Sequence, residues 1–482
     1  MSNTPNPPAP GLTRVLGPLT ATAIVVGTII GSGVFKKPAT IAQSVDESGL
    51  VAVVWVVAGL LVLCGALAYA EVAVLFPRTG GNYVFLREGY GRLFGFLWCW
   101  VDFWIIRSGS LAALATIFTE SLHDILRTSA GGEVLGSWAQ RGVTVGTLIG
   151  LGLVNIRGVR WGGGLQVVVT LVKVVSLVGI AVFPLFLLGR AADSTVTTAN
   201  LDPVWPSAWR GGLLSGIGSA FLGVLWAYHG WQNIAPVAGE VRDPQRNLPL
   251  ALIGGTLIVV ALYLGVNLAY YLTMPAVEMA RLSSDTTVAA ESALRWIGPI
   301  GKVIVAGAIM LSVFGSLNGN MMVGPRQLFA MGEDGLAPRW LGRVHPQYRT
   351  PAASIALLAA WSSLLVVGVA VLTQTGVLAA GTSHFDTFTD FAMFGAVLFE
   401  TLAVVSIFRF RALLPNTDRP YRCPGYPVIP ALYVLLPGVI LYYMVQTKYK
   451  EVIAGTCFVA LGTLVFYAFG LQNKEHPVAR NP

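Results

Sequence analysis

The sequence reads as an all-α polytopic membrane protein of about twelve transmembrane helices, with helices one and six broken at mid-depth. Three observations predict this. Only 11% of the 482 residues are charged and 55% are hydrophobic, with a mean hydropathy of +0.69. A soluble domain carries about 25% charged residues, so too little polar material is present to cover a water-facing surface. Twelve apolar stretches approach or exceed the roughly 20 residues that a membrane helix needs. The first and sixth of these stretches carry interruptions that a plain membrane helix has no use for.

The spans run at 18–43, 48–76, 93–121, 141–156, 162–188, 212–237, 249–273, 297–328, 352–374, 385–408, 428–446 and 451–471. The fourth is short and Gly-rich. Residues 1–10, rich in Pro and Asn, read as disordered. They lack the basic n-region of a signal peptide, and the apolar segment that follows is too long for one. The two breaks suggest five-helix repeats of opposite orientation at 13–190 and 191–408, with two additional helices in 409–471. Residues 1–12 and 472–482 are then tails on one side of the membrane.

Charge sets the direction. Eighteen Lys and Arg residues fall at the termini, in the even-to-odd connections or at the span ends beside them, nine in or beside the opposite connections, and four (Lys36, Lys37, Arg107 and Lys173) elsewhere within spans. That bias places both termini in the cytoplasm. The net charge of +8, which would suggest nucleic acid in a soluble protein, reflects basic cytoplasmic loops here.

The first interruption is Gly31-Ser32-Gly33. Glycines let backbone N–H groups turn into a cavity at little steric cost. The N-terminus of the following half-helix adds partial positive charge, and together these suit a carboxylate. The competing use is close helix packing, which the spacing of Gly27 and Gly31 also fits. The second interruption, Phe221–Asn233, crowds Trp226, Tyr228, His229, Trp231, Gln232 and Asn233 around Gly230. Unwound carbonyls there suit an ammonium group, with Trp226 as a cover. An aromatic interfacial belt is disfavoured by its depth in the span.

Charged residues inside spans are functional hypotheses by default. Lys173 stands alone near the middle of span five, where it either takes the place of a coupling cation or exchanges a proton; snorkelling to the interface is the alternative. Arg107, near Asp102, Ser108 and Ser110, reads as a structural network or gate. Lys36 and Lys37 either line a vestibule or point to solvent. Glu71, Glu120, Asp390 and Glu400 serve a proton path or structural pairs. Glu240 reads as an inner latch with Arg242 or Arg246. The four cysteines have no metal-ligand spacing. No phosphate-binding loop, catalytic triad, metal cluster or cofactor motif is present, which argues against an enzyme and against ATP-driven transport. Two broken helices at matching places signal a site for a small zwitterion such as an amino acid.

Several stretches carry a family resemblance: Gly27–Phe35, Phe76–Tyr83 with Glu88–Gly91, Ile105–Arg107, Leu225–Trp231, Pro244–Pro249 with Glu240, Phe314–Gly319, His345–Gln347 and Thr350-Pro351. Taken in order, the chain resembles the amino acid–polyamine–organocation superfamily and, within it, the L-type amino acid transporter branch. The resemblance implies a LeuT-like fold of inverted repeats and alternating access. It implies that Gly31, Ser32 and Gly33 bind a carboxylate, and that the carbonyls of Ile29, Trp226 and His229 meet an ammonium. Trp226 takes the aromatic gate position, with Tyr228, Gln232 and Asn233 around the pocket. Lys173 matches the lysine that replaces a sodium site, with Ser312 or Ser316 as its neighbour. His229 and Gln232 depart from the common Gly and Asn of the family.

The expectation is a sodium-independent carrier that exchanges neutral L-amino acids in a bacterial inner membrane, with the lipid bilayer and the substrate as its partners. A cationic amino acid, polyamine or proton-coupled carrier is the first alternative, and a non-transporting sensor the second. Acidic residues are absent from both broken motifs, which disfavours polyamines; the short tails disfavour a sensor. Residues 122–140 contain no cysteine, so no disulfide-linked ancillary subunit is expected.

Overall fold

Long apolar segments with no water to bond their backbones have one local solution, the helix. The computed structural model describes residues 12–473 apart from 131, 133, 190–194, 209–210, 283–285 and 376–383. Ten helical segments among the described residues are long and apolar enough to cross a membrane. Two further long helices occupy the places expected for spans four and ten. The only β pairing among the described residues is a single bridge between Leu16 and Val241.

Span one is split into α1 (Pro18–Ile29) and α2 (Gly33–Ser44), and span two is the unbroken α3 (Ser48–Leu75). A short α4 (Asn82–Tyr90) follows. Span three joins α5 (Arg92–Val101) to α6 (Ser108–Ala130) through a π-helical turn at Asp102–Arg107. Spans four and five are α7 (Ser137–Ile156) and α8 (Val159–Leu187). Span six consists of α9 (Leu213–Tyr228) and a 3₁₀ segment, Trp231–Glu240. Span seven runs from α10 (Pro244–Pro249) through a second π-helical turn into α11 (Gly255–Thr273).

Two short helices, α12 (Ala276–Ala280) and α13 (Val288–Ile297), lead to the long α14 (Pro299–Glu333) of span eight. Spans nine to twelve are α15 (Ala352–Gln374), α16 (His384–Leu413), α17 (Val428–Thr447) and α18 (Tyr449–Ala468). Because each crossing reverses direction, span six runs opposite to span one. The architecture is the expected all-α membrane fold with broken helices one and six.

Lipid offers little hydrophobic drive between helices, so close packing has to hold them. Large apolar side chains such as Leu153, Val168, Leu171, Val175 and Leu214 face outward, as a bilayer-facing surface requires. Small residues bring backbones together inside. A Cβ on Gly33 would stand 2.7 Å from the Cα of Ala227 on α9, so only glycine permits that crossing. The two broken spans therefore touch each other at the centre of the bundle, surrounded by α3, α6, α8, α11 and α14.

Candidate functional site

The break in span one is shorter than the glycine pattern suggests. Helix α1 ends at Ile29, and Ile30 turns away at ψ 89°. Gly33 is already the first residue of α2 and serves helix packing, so the unwound stretch is Ile30–Ser32. After Ile30, whose N–H donates to Val26, the next paired backbone amides are those of Phe35 and Lys36, both on the Ser32 carbonyl. The intervening amides are the orphan donors of a helix start. They lie at the positive end of α2, where an anion is favoured.

The break in span six is a change of backbone region. His229 is extended at ψ 144°, and Gly230 takes the left-handed region at φ 105°. A Cβ at Gly230 would also press to 3.0 Å from the Thr28 carbonyl. The hydroxyl of Thr28 donates to the Gly230 carbonyl at 3.1 Å. Tyr263 on α11 joins the breaks a second time: its hydroxyl lies 3.1 Å from the carbonyls of both Ile29 and Ala227. Nothing in the sequence singled out Tyr263; its one legible signal is a hydroxyl in the middle of an apolar span.

Lys173 on α8 is buried, and its three ammonium protons have three acceptors. Its Nζ lies 2.6 Å from the Gly27 carbonyl, 2.6 Å from the Ile30 carbonyl and 2.9 Å from Ser316 Oγ. Ser316 also reaches the Gly27 and Ile30 carbonyls, while Ser312 sits 3.3 Å from the carbonyls of Ile30 and Gly31. A buried cation is tolerated when its hydrogen-bonding capacity is met. Here carbonyls freed by the helix break meet it, so the lysine and the broken backbone satisfy each other.

Trp226 stacks on His229 at 6.2 Å between ring centroids, and the side chain of His229 reaches Glu400 on α16 at 3.0 Å. The Trp226 carbonyl accepts the His229 amide at 3.2 Å. Tyr228 packs edge-on against Trp55 at 5.7 Å, and its hydroxyl is buried with no partner among the described residues. Gln232 is buried, its Oε1 has no partner among the described residues, and Asn233 Oδ1 accepts from Arg107 at 3.2 Å.

Arg107 ends the π-helical turn and is held from three sides. It donates to Asn233, to Asn320 Oδ1 at 2.5 Å and to Asp102 Oδ1 at 3.3 Å. Gln327 donates to the other Asp102 oxygen at 2.9 Å and accepts from the indole of Trp98. The structural-network reading of Arg107 acquires partners from α14 that the sequence did not point to. Ser108 makes no side-chain bond among the described residues.

The expected latch of Glu240 with Arg242 or Arg246 is corrected. Glu240 Oε1 accepts from Arg326 on α14 at 2.9 Å, and both side chains are fully buried. Glu240 faces inward from the 3₁₀ segment toward α14, whereas Arg242 lies beyond the segment's end on the exposed side. Glu71 pairs with Arg411 at 2.7 Å and Arg419 at 3.3 Å, a structural role. Lys36 stands 3.6 Å from Glu120, linking α2 to α6. The Asp390 side chain lies outside the described residues.

Thr28 and Tyr263 thus join the two breaks, with the unpaired amides at the start of α2 nearby. The pattern has a direct counterpart among known proteins. A family model described as amino acid permease matches residues 16–466. The chain belongs to the amino acid permease family. The permease is a multi-pass membrane protein that transports amino acids, and its family is not one of enzymes.

Similar proteins include the serine/threonine exchanger SteT of Bacillus subtilis, 31% identical over 88% of this chain and 89% of that protein. The b(0,+)-type amino acid transporter 1 of Homo sapiens is 26% identical over 96% of this permease and 89% of its own length. The large neutral amino acids transporter small subunit 2 of Mus musculus is 26% identical over 98% and 83% respectively. The permease thus resembles the L-type branch along nearly its whole length.

Proposed function

We propose that the permease exchanges neutral L-amino acids without sodium, by alternating access around the two breaks. The observation that carries this is Lys173: its ammonium rests on the carbonyls of Gly27, in the last turn of α1, and of Ile30, where the first break begins. A fixed cation there does what a bound cation would do, so no transported ion is required to order the loop. The amides of residues 31–33 receive the substrate carboxylate. The carbonyls of Ile29, Trp226 and His229 receive the ammonium; those of Ile29 and Trp226 keep a second lone pair beside their present bonds. Trp226 closes over the ligand. The repeats 13–190 and 191–408 supply one broken helix each.

The eighteen-to-nine bias of basic residues supports cytoplasmic termini. The lack of cysteine in residues 122–140 supports a carrier that has no disulfide-linked subunit, as in a bacterial inner membrane.

The test is uptake of labelled neutral amino acids into proteoliposomes in sodium-free buffer, with and without amino acids inside. Uptake that requires internal amino acid is the expected result. Equal uptake into empty vesicles rejects exchange, and a demand for sodium rejects the role given to Lys173.

A further inference from the structure

Glu400 is a carboxylate that reaches the second break from α16, 171 positions away in sequence from the residue it meets. One oxygen, Oε1, bonds His229 at 3.0 Å. The other, Oε2, has no hydrogen-bond donor among the described residues. Glu400 is nevertheless buried, with only 9% of its side chain exposed. An ionised carboxylate has room for about four hydrogen bonds and is costly to bury short of donors.

The pair borders a cavity of about 40 Å³. Val62, Val397 and Pro437 are among its apolar walls, and Tyr228, His229, Glu400, Thr401 and Tyr433 bring polar groups to it. A space of that size is enough for a short side chain. His229 enters it because the extended backbone at the break directs the chain away from the course of α9. The cavity therefore adjoins the same turn that would hold the substrate backbone, on the side facing α16.

Resting on the exchange reading above, we propose that Glu400, positioned by His229, is the side-chain selector of the permease. It favours short amino acids whose side chain carries a hydrogen-bond donor, a hydroxyl or a carboxamide. The substrate donor completes the Oε2 valence, and His229 holds Oε1 so that the carboxylate cannot turn away. The apolar walls suit the small carbon stem of such a side chain. A site built to receive a hydroxyl discriminates strongly against the isostere that lacks it, because the acceptor is then buried unpaired.

The experiment is exchange in proteoliposomes loaded with mixed neutral amino acids, comparing threonine with valine and serine with alanine as external substrates. Wild type is expected to show a kcat/KM at least about tenfold higher for threonine than for valine. Glu400→Leu should bring that ratio close to one. Glu400→Gln, which keeps an acceptor and the shape, should lower it about threefold or more and guards against a Leu variant that does not fold. A wild-type ratio near one, a preference for lysine or arginine, or an unchanged ratio in Glu400→Gln overturns the proposal. Parallel loss for threonine and valine in both variants also overturns it, by making Glu400 structural. No exchange of any amino acid by wild type instead defeats the underlying exchange reading.

Discussion

Lys173 Nζ and Ser316 Oγ lie 2.9 Å apart, and both reach the carbonyls of Gly27 and Ile30. One residue comes from α8 and the other from α14, so two separate helices hold the broken backbone of span one. Movement of either helix relative to α1 must reshape the loop. In the proposed exchange cycle, that coupling would act at the end of the site assigned to the substrate carboxylate.

Replacing Lys173 by Met keeps the volume of the stem but removes the ammonium from the Gly27 and Ile30 carbonyls, leaving only the hydroxyls of Ser316 and Ser312 to serve them. Each charged hydrogen bond lost costs about 1–3 kcal/mol. Exchange should fall at least about tenfold while the protein still reaches the membrane, measured as flux normalised to surface-extracted protein. Full activity in this variant would remove Lys173 from the mechanism.

Trp226 stacks on His229, and in the proposed cycle it closes over the ligand. Trp226→Ala should weaken apparent substrate affinity about tenfold while expression falls less. Concentration-dependent uptake, compared with yield after detergent extraction, separates the two effects.

Gly33 and Gly31 should part company. An alanine methyl at Gly33 meets the Ala227 backbone at 2.7 Å, whereas at Gly31 the nearest atom is Ser316 Oγ at 3.6 Å. Gly33→Ala should destabilise by about 1–3 kcal/mol through overpacking. Gly31→Ala should melt close to wild type. Thermal unfolding in detergent checks both, and a similar Tm for the two variants would contradict the packing described here.

Glu240 and Arg326 form a fully buried ion pair. Removing one partner strands a charge, at a cost of about 3–5 kcal/mol. Glu240→Leu and Arg326→Leu should each lower the Tm sharply, and the double variant should lose less than the sum. Additive losses in a double-mutant cycle would show that the pair is not coupled.

How far each feature was legible depends on the range of the physics behind it. Hydropathy and charge are summed over neighbours in sequence, so the spans and their order could be read directly; span nine, for instance, is helical over the expected 352–374. Glycine is also a local signal, but an ambiguous one. Gly31-Ser32-Gly33 marked a break, yet whether each glycine frees an amide or admits a neighbouring helix depends on what packs against it. Gly33 proved to be packed on Ala227.

Lys173 could be singled out by the sequence because a lone ammonium in an apolar span is costly wherever it points. Its carbonyl acceptors in span one could not, being 146 and 143 residues away. The chain by itself determined a membrane helix bundle with two interruptions and a buried cation, because those follow from composition, length and backbone chemistry. Only the tertiary structure decided that Glu240 meets Arg326, that Tyr263 bridges the two breaks and that Glu400 faces His229. Those partners lie 86, 36 to 234 and 171 residues apart, and only helix packing brings such charges and hydroxyls within bonding distance.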